Sequence, residues 1–208
     1  ISVLFILRIT FLCSQENLLI NVYNRPYTSL NGEWNYIVDP YENGFYNYRL
    51  EPFENQENPG NGAFFINAKP ADKSDLVEYD FDKTPTIEVP GDWNTQDERL
   101  IFYNGRVWYK RDFEVEKNLG KRYFLYFGAV NYKARVYVNG ELVGSHTGGY
   151  TSFNCEITEQ LKVGNNFVVV DVNNTLTNSD IPTTRTDWMN YGGITRDVKL
   201  VELPKAFI

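Results

Sequence analysis

The dipeptide Asn139-Gly140 is the feature that most constrains how this chain can fold. It joins two strand-like runs, residues 134–138 and residues 141–144. Asparagine and glycine tolerate the positive φ angles of a type I′ turn, which links two antiparallel strands through only two residues. The sequence therefore predicts a β-hairpin here. Because a hairpin alone is only marginally stable in water, further strands must pair with it to form a sheet.

The rest of the chain repeats this pattern of short strand-like runs separated by turn residues. Residues 167–172 are apolar on both faces up to Asp171, which is typical of an inner strand of a two-layer structure. A break in the alternation at residues 110–112 predicts a β-bulge. No segment of helical length has a 3.6-residue period, so the sequence predicts an all-β, antiparallel sandwich or barrel. The other predicted strands cover residues 30–38, 86–90, 105–115, 121–127 and 198–201.

Residues 41–83, here called the excursion, interrupt this pattern with asparagine, glycine, proline and charged residues. A structureless loop of this length is uncommon inside a compact domain. The excursion therefore either carries function or packs its scattered phenylalanine and tyrosine rings back on the sheets. Short strands are predicted near residues 63–66. We interpret its acidic side chains as a solvated surface, namely those of Glu51, Glu54, Glu57, Asp72, Asp75 and Glu78.

Length and charge exclude several classes of protein. The 208 residues suffice for one sizeable domain, or two small ones, with a real core. A (β/α)₈ barrel alone typically needs about 250 residues, so that architecture is excluded. The formal net charge of −7 and the lack of a basic cluster in the sequence argue against a nucleic-acid partner.

The first twelve residues are apolar apart from Arg8 and a few hydroxyl groups. This run is too short to span a bilayer as an anchor, and it is similar to the apolar core of a secretory signal. We therefore predict no membrane span, a signal-peptide remnant at residues 1–15, and export to the periplasm or the cell exterior. If Cys13 leaves with the signal, Cys155 has no disulfide partner in this chain.

The sequence has no glycine-rich phosphate loop, no Cys/His metal spacing and no Ser/His/Asp set. We therefore expect no cofactor and no metal. The single histidine, His146, is interpreted as a hydrogen-bonded loop residue rather than a catalyst, because it has no identifiable acid or base partner. Asp92 follows Pro90-Gly91 and is interpreted as the start of an Asx-type turn.

Residues 186–197 combine groups that suit a loop that binds a polar ligand. Asp187 can accept hydrogen bonds from sugar hydroxyl groups, and Trp188 offers a rigid face for stacking on C–H groups. Gly192-Gly193 allows positive φ angles or a close approach of the backbone. From these residues alone, a structural turn whose tryptophan fills the core is an equally good interpretation.

Five motifs occur in order along the chain. They are Val-Pro-Gly-Asp-Trp at 89–93, Val-Trp-Tyr-Lys-Arg at 107–111, Ala-Val-Asn-Tyr-Lys-Ala-Arg-Val-Tyr-Val-Asn-Gly at 129–140, His-Thr-Gly-Gly-Tyr-Thr-Ser-Phe at 146–153 and Asp-Trp-Met-Asn-Tyr-Gly-Gly-Ile-Thr-Arg-Asp-Val at 187–198. Together they resemble the N-terminal sugar-binding domain of family 2 glycoside hydrolases, the group of the β-galactosidases and β-glucuronidases. The likeness covers residues 25–208.

The resemblance implies a jelly-roll antiparallel β-sandwich, similar to a galactose-binding domain, at residues 25–203. Residues 204–208 would begin the linker to an immunoglobulin-like domain, which a catalytic barrel follows in this family. The implied function is a retaining β-glycosidase of carbohydrate catabolism whose two catalytic glutamates lie on that barrel. We therefore expect no catalytic residue in this chain and no hydrolysis by the chain alone.

The resemblance also implies site residues. In the family, the aspartate of the Asp-x-x-Asn-Tyr-x-Gly motif contacts the sugar in the innermost subsite, and Asp187 occupies this position here. We predict that Asp187, Trp188 and Asn190 bind the carbohydrate substrate and that Tyr191 and Arg196 support the loop. The identity of the sugar is left open, because the residues that read it lie on the barrel.

Two other functions are compatible with the same residues. One is a free-standing carbohydrate-binding module without catalysis, and the other is a scaffold whose loops only dock neighbouring domains. The coding sequence downstream of Ile208 distinguishes these functions from the first, which requires a barrel there. A homo-oligomeric assembly is also left open.

Overall fold

The computed structural model describes residues 18–75, 77 and 79–207. The predicted signal remnant at residues 1–15, with Cys13, lies outside these residues, and so does Ile208 at the end of the predicted linker. The division into a domain at residues 25–203 and a linker therefore stays a prediction. Within the described ranges, no helix is both long enough and apolar enough to cross a membrane.

Strands make up most of the regular structure, and we number them in chain order. They are β1 (Tyr27–Ser29), β2 (Gly32–Asp39), β3 (Thr86–Val89), β4 (Arg106–Val115), β5 (Lys121–Phe127), β6 (Val130–Asn131), β7 (Lys133–Val138), β8 (Glu141–Thr147), β9 (Phe153–Glu156), β10 (Gly164–Asn173), β11 (Gly193–Ile194) and β12 (Val198–Pro204). A short helix, α1 (Trp93–Gln96), lies between β3 and β4. Single 3₁₀ turns cover Val22–Asn24, Phe53–Asn55, Gly60–Gly62, Phe64–Ile66, Phe81–Lys83 and Glu98–Leu100.

Two antiparallel sheets form the body of the molecule. The larger sheet has the strand order β3-β2-β4-β10-β7-β8 and the smaller has the order β1-β12-β5-β9, while β6 and β11 form a separate pair. Apolar side chains from both sheets pack into one core, in which Trp34, Tyr109 and Phe127 are fully buried. The predicted antiparallel β-sandwich is confirmed.

The hairpin predicted at Asn139-Gly140 is also confirmed. Strands β7 and β8 pair through this turn, with Val138 opposite Glu141. Asn139 has a φ of 52° and Gly140 a φ of 89°, so both take the left-handed region that a type I′ turn requires.

The bulge predicted at residues 110–112 is wrong. The β4–β10 ladder runs without interruption from the Val115–Gly164 pair to the Arg106–Asn173 pair. Arg111 breaks only the hydrophobic alternation, because its guanidinium donates to the backbone carbonyl of Glu33 instead of entering the core. The shift in register occurs elsewhere, between Val136 and Tyr137 on β7.

Strand β10 is the inner strand that its composition predicts. It lies between β4 and β7, with Val168, Val170 and Val172 in the core between the sheets. Val169 faces the opposite way and belongs to a second apolar cluster on the outer face of the six-stranded sheet. Both faces of β10 are therefore buried, which explains its nearly continuous run of valines.

The excursion forms this second cluster, so the alternative in which its rings pack back on the sheet is correct. Phe65 stacks on Tyr137 of β7 with ring centroids 4.4 Å apart. The strands expected near residues 63–66 are absent, since Phe64–Ile66 is a 3₁₀ turn. Such a turn can direct the neighbouring Phe64 and Phe65 into the same core, whereas a strand would point them to opposite faces.

Glu78 lies outside the described residues, and among the other acidic side chains interpreted as solvated, Glu54 is not part of a solvated surface. The Glu54 carboxylate pairs with the guanidinium of Arg135 and accepts a hydrogen bond of 3.2 Å from the Tyr137 hydroxyl. The interpretation of Glu54 as solvated is therefore wrong. Because Arg135 and Tyr137 both project from β7, Glu54 fastens the excursion to that strand.

Candidate functional site

The candidate sugar loop comprises residues 174–192 and joins β10 to β11. Its first residue, Asn174, is fully buried. The Asn174 amide nitrogen donates to the Asn104 side-chain oxygen at 3.0 Å and to the Asn190 carbonyl at 2.8 Å. Its Oδ1 accepts from the backbone N–H of Gly105 at 2.8 Å. Asn174 therefore ties both ends of the loop to the segment that precedes β4.

A second buried asparagine, Asn131 of β6, holds the far end of the loop. Its Nδ2 donates to Asn190 Oδ1 at 2.8 Å and to the Tyr191 carbonyl at 2.5 Å. The Asn190 side-chain nitrogen in turn donates to the carbonyl of Asn174. Both polar atoms of the Asn190 side chain are thus engaged within the protein. Its predicted contact with substrate stays a prediction, and its observed role is to close the base of the loop.

The glycine pair locks the end of the loop against α1. A Cβ at Gly192 would overlap the ring of the fully buried Trp93, and a Cβ at Gly193 would lie 2.6 Å from the carbonyl oxygen of Gly91. Gly193 also has a φ of 143°, which favours glycine. The Gly192 N–H donates to Asn94 Oδ1 at 2.9 Å. Close backbone approach is therefore the reason for two glycines at this position.

The tip of the loop differs from its base, because its side chains face solvent. Trp188 is 62 % exposed, so the interpretation in which this tryptophan fills the core is wrong. Trp93 has that role instead. Asp187 is exposed, and its carboxylate makes no hydrogen bond or ion pair with any residue that the structure describes. The loop thus presents an acceptor and an aromatic face on a fixed base.

The motif at residues 146–153 lies against the same loop base. A Cβ at Gly149 would overlap the Asn131 side chain, so these two segments are in close contact. Arg196 donates to the backbone carbonyl of Tyr150 at 3.4 Å, which agrees with a supporting role for that arginine. Tyr150 and Tyr191 are both exposed on this part of the surface.

His146 and Asp92 have structural roles, but not in the settings expected of them, because His146 lies in strand β8 rather than in a loop and Asp92 caps helix α1 rather than starting an Asx-type turn. The His146 ring stacks on Phe153 with centroids 4.4 Å apart, and its Nε2 lies 2.9 Å from the Thr151 hydroxyl. Partial burial lowers the pKa of His146, so the ring stays neutral at neutral pH. Asp92 caps α1 by accepting from the Thr95 N–H at 2.8 Å and from its hydroxyl at 3.0 Å.

Sequence reasoning did not identify Asn131 and Asn174 as residues that position the loop. The signal that could have found them is an amide side chain next to an otherwise apolar strand, where a buried polar group must find partners. Among the described residues, no group of three or more histidine, cysteine or carboxylate side chains is arranged to hold a metal ion.

Comparison with known proteins relates this chain to a family of carbohydrate-active enzymes. Residues 27–204 match the family described as "Glycosyl hydrolases family 2, sugar binding domain". A beta-glucuronidase of Bacteroides fragilis is 40% identical over 127 residues, which are 57% of this chain and 18% of that protein. A beta-galactosidase of Thermoanaerobacter pseudethanolicus is 38% identical over 146 residues, which are 63% of this chain and 19% of that protein.

A solved structure gives the same relation. The beta-glucuronidase of an uncultured Clostridium species superposes with a TM-score of 0.67 at 28% sequence identity, over 87% of this chain and 29% of that one. This chain therefore spans less than a third of the length of each of the three relatives.

Proposed function

The chain belongs to the sugar binding domain family of the family 2 glycosyl hydrolases, and on that premise we propose that it forms one wall of the sugar pocket of a β-glycosidase. The observation that carries this proposal is the contrast within residues 174–192. The base of the loop is fastened by buried asparagines, while the Asp187 carboxylate at its tip is exposed and has no partner among the described residues. Such a fixed acceptor binds a sugar hydroxyl without a large loss of loop entropy.

The chemistry of bond cleavage is assigned to other domains of the same protein. A retaining glycosidase needs two carboxyl groups about 5–5.5 Å apart, one as nucleophile and one as general acid and base. The candidate sugar loop contains two carboxylates, Asp180 and Asp187, and Asp180 is engaged within the loop because it accepts from the Thr177 N–H at 2.6 Å. Asp187 therefore serves substrate binding, in which its oxygens accept from a hydroxyl group while Trp188 stacks on the C–H face of the sugar. The greater length of the relatives supports further domains.

The names of the relatives support two substrate classes, β-glucuronides and β-galactosides. Both present hydroxyl groups that Asp187 can accept from, so the loop alone does not select between them. A panel of aryl β-glycosides, tested on the full-length protein, identifies the sugar. If the full-length protein hydrolyses neither β-glucuronides nor β-galactosides, the proposed activity is refuted.

The variant Asp187→Asn in the full-length protein tests the role of the loop. We expect kcat/KM to fall by about two orders of magnitude, or roughly 3 kcal/mol. The reason is that the variant replaces a charged acceptor with a neutral amide and so weakens a hydrogen bond that stabilises the transition state. The matched control is Glu141→Gln at the exposed start of β8. This variant also removes one negative charge, but outside the candidate sugar loop, and should leave the kinetics unchanged. Kinetics close to wild type in Asp187→Asn, with normal folding, would refute the contact.

A further inference from the structure

Two consecutive residues, Asn131 and Tyr132, hydrogen-bond to opposite sides of the candidate sugar loop. Asn131 holds the C-terminal side through Asn190 and Tyr191. The Tyr132 hydroxyl accepts a hydrogen bond of 3.0 Å from the backbone N–H of Ile181, on the N-terminal side. The loop is therefore fastened on both sides of its tip from the junction between β6 and β7.

Tyr132 is itself held in place by the surrounding backbone. The residue is only 5% exposed. Its carbonyl accepts from the Gly148 N–H at 2.9 Å, and its own N–H donates to the Asn173 carbonyl at 3.4 Å. A buried tyrosine usually finds a hydrogen-bond partner for its hydroxyl group, and here that partner is the backbone of the loop. The hydroxyl is thus an acceptor at a fixed position.

The N-terminal part of the loop is bonded to itself, so the bond to the tyrosine hydroxyl fixes more than one residue. The Asp180 carboxylate accepts from the Thr177 N–H at 2.6 Å. The Thr184 hydroxyl donates to Asn178 Oδ1, also at 2.6 Å. Residues 177–184 therefore form a closed arch that is attached to the sheet near its middle.

Asp187 lies midway between the two anchored parts of the loop. Five residues, 185–189, separate the arch from Asn190, and Asp187 is the third of them. Its carboxylate has no partner among the described residues, so the backbone on each side sets its position. A segment held at both ends has fewer conformations than one held at a single end. Loss of the anchor on the N-terminal side would therefore let the carboxylate move.

We propose that Tyr132 is a positioning residue for Asp187. Its hydroxyl fixes the N-terminal side of the loop, so that the Asp187 carboxylate meets the sugar hydroxyl in one geometry. Because Tyr132 is buried, it acts through the loop and does not touch the sugar. Misplacement of a contacting group by about 1 Å can lower turnover by about two orders of magnitude. This inference rests on the proposed function, since it concerns the same sugar contact.

Hydrogen exchange in the 208-residue chain tests the anchor without any substrate. Tyr132→Phe removes the hydroxyl group and keeps the ring. We expect exchange at the Ile181 amide to accelerate about fivefold, the size that corresponds to the loss of one hydrogen bond. Tyr126→Phe makes the same change at a buried tyrosine of β5 and should leave this amide unaffected. Unchanged exchange in Tyr132→Phe would overturn the proposal.

A double-mutant cycle in the full-length protein tests whether Tyr132 acts through Asp187. We expect Tyr132→Phe to lower kcat/KM about tenfold in the wild type but less than about twofold in Asp187→Asn. A purely structural role would lower kcat/KM by the same factor in both backgrounds, and that result would refute the positioning role. The control Tyr126→Phe should leave kcat/KM unchanged in both.

The same measurements separate this inference from the function on which it rests. Wild-type kcat/KM in Asp187→Asn would refute the proposed sugar contact, while the exchange experiment would still decide whether Tyr132 holds the loop. A full loss in Asp187→Asn with unchanged kcat/KM in Tyr132→Phe would refute the positioning role alone. If Tyr132→Phe folds poorly, Thr184→Val removes an exposed hydroxyl group that closes the same arch. Its loss of kcat/KM should likewise disappear in Asp187→Asn, and a loss that persists there would refute the proposal.

Discussion

At the scale of single residues, hydrogen bonds from buried asparagine side chains hold the candidate sugar loop in place of longer strand pairing. Strands β6 and β11 contribute only two residues each, which is too little pairing to hold a loop of this length. Asn131 supplies two further hydrogen bonds, one to a side chain and one to a carbonyl. Because its amide is buried, each of these bonds is shielded from competing water.

Removal of the Asn131 amide should therefore loosen the loop. In Asn131→Ala, we expect hydrogen exchange at the backbone amides of Trp93 and Gly192, which hydrogen-bond at the end of the loop, to accelerate by about tenfold or more. The reason is that loss of buried partners costs about 1–3 kcal/mol, while 1.4 kcal/mol corresponds to a factor of ten. Asn165→Ala, at an exposed asparagine of β10, is the control and should leave these amides unaffected. Unchanged exchange in Asn131→Ala would show that the glycine pair alone holds the loop.

Asp171 should make the stability of the protein depend on pH. Burial raises the pKa of Asp171 to about 7, against the opposing effects of Arg106 and Arg135 and with smaller contributions from Glu42 and Asp39. Its folded-state pKa therefore lies above the unfolded value of about 3.9. The folded protein binds the extra proton between these two values, so this residue favours folding increasingly as the pH falls from 8 to 5.

The measurement compares the wild type with Asp171→Asn by urea denaturation at pH 8 and pH 5. Relative to the variant, the wild type should gain on the order of 2 kcal/mol on acidification. His146 titrates in both proteins and cancels in the comparison. Direct titration of the Asp171 carboxyl by NMR covers the case in which the variant folds poorly. A carboxyl that titrates near its ordinary value would contradict the prediction.

At the scale of elements, local patterns predicted the strands better than they predicted the excursion. The turn at Asn139-Gly140 and the valine run of β10 depend on neighbouring residues only, and both were predicted correctly. The excursion was ambiguous because its phenylalanines bury their rings against Trp108 and Tyr137, which are distant in sequence. Because the excursion is polar on average and its phenylalanines have no regular spacing, its composition did not predict that their rings are buried.

The same limit applies to the candidate site. The exposure of Asp187 and Trp188 is compatible with the function predicted from the sequence. In contrast, Asn131 and Asn174 were not identified, since an asparagine in a sequence indicates a turn more often than a buried side chain that hydrogen-bonds a loop. Only the three-dimensional packing brings β6, the end of β10 and the loop together.

The excursion should contribute to the stability of the domain rather than only decorate it. Phe65→Ala removes a buried ring that stacks on Tyr137, and large-to-small changes of this kind cost about 3–5 kcal/mol. Phe102→Ala, at a phenylalanine that is 78% exposed, should cost much less. Urea denaturation of both variants checks the difference. If Phe65→Ala and Phe102→Ala lower the free energy of unfolding equally, the excursion does not unfold cooperatively with the core.

At the scale of the whole molecule, the two sheets and the excursion form a scaffold that carries one candidate sugar loop. The matched relatives are several times longer, and the proposed chemistry is assigned to their additional length. The 208 residues establish the fold and the family, whereas the substrate and the rate of turnover have to be measured on the full-length protein. Under the proposed function, this domain contacts the sugar and the reactive groups lie on other domains.

The isolated 208-residue chain should consequently hydrolyse no aryl β-glycoside. The proposed pocket has one carboxylate from this chain, while retaining hydrolysis requires a facing pair. Release of the aryl group can be followed against buffer alone, with the full-length protein as the positive control. Turnover by the isolated chain would mean that a catalytic pair lies within it.

The order of the strands bears on how the domain resists self-association. Edge strands expose unpaired backbone groups, and short edges limit the pairing of one molecule with another. In the described part of the chain, β1, β3 and β9 are edges of three or four residues, whereas β8 is an edge of seven. Cross-molecular strand addition, the first step toward aggregates, therefore has its longest template along β8.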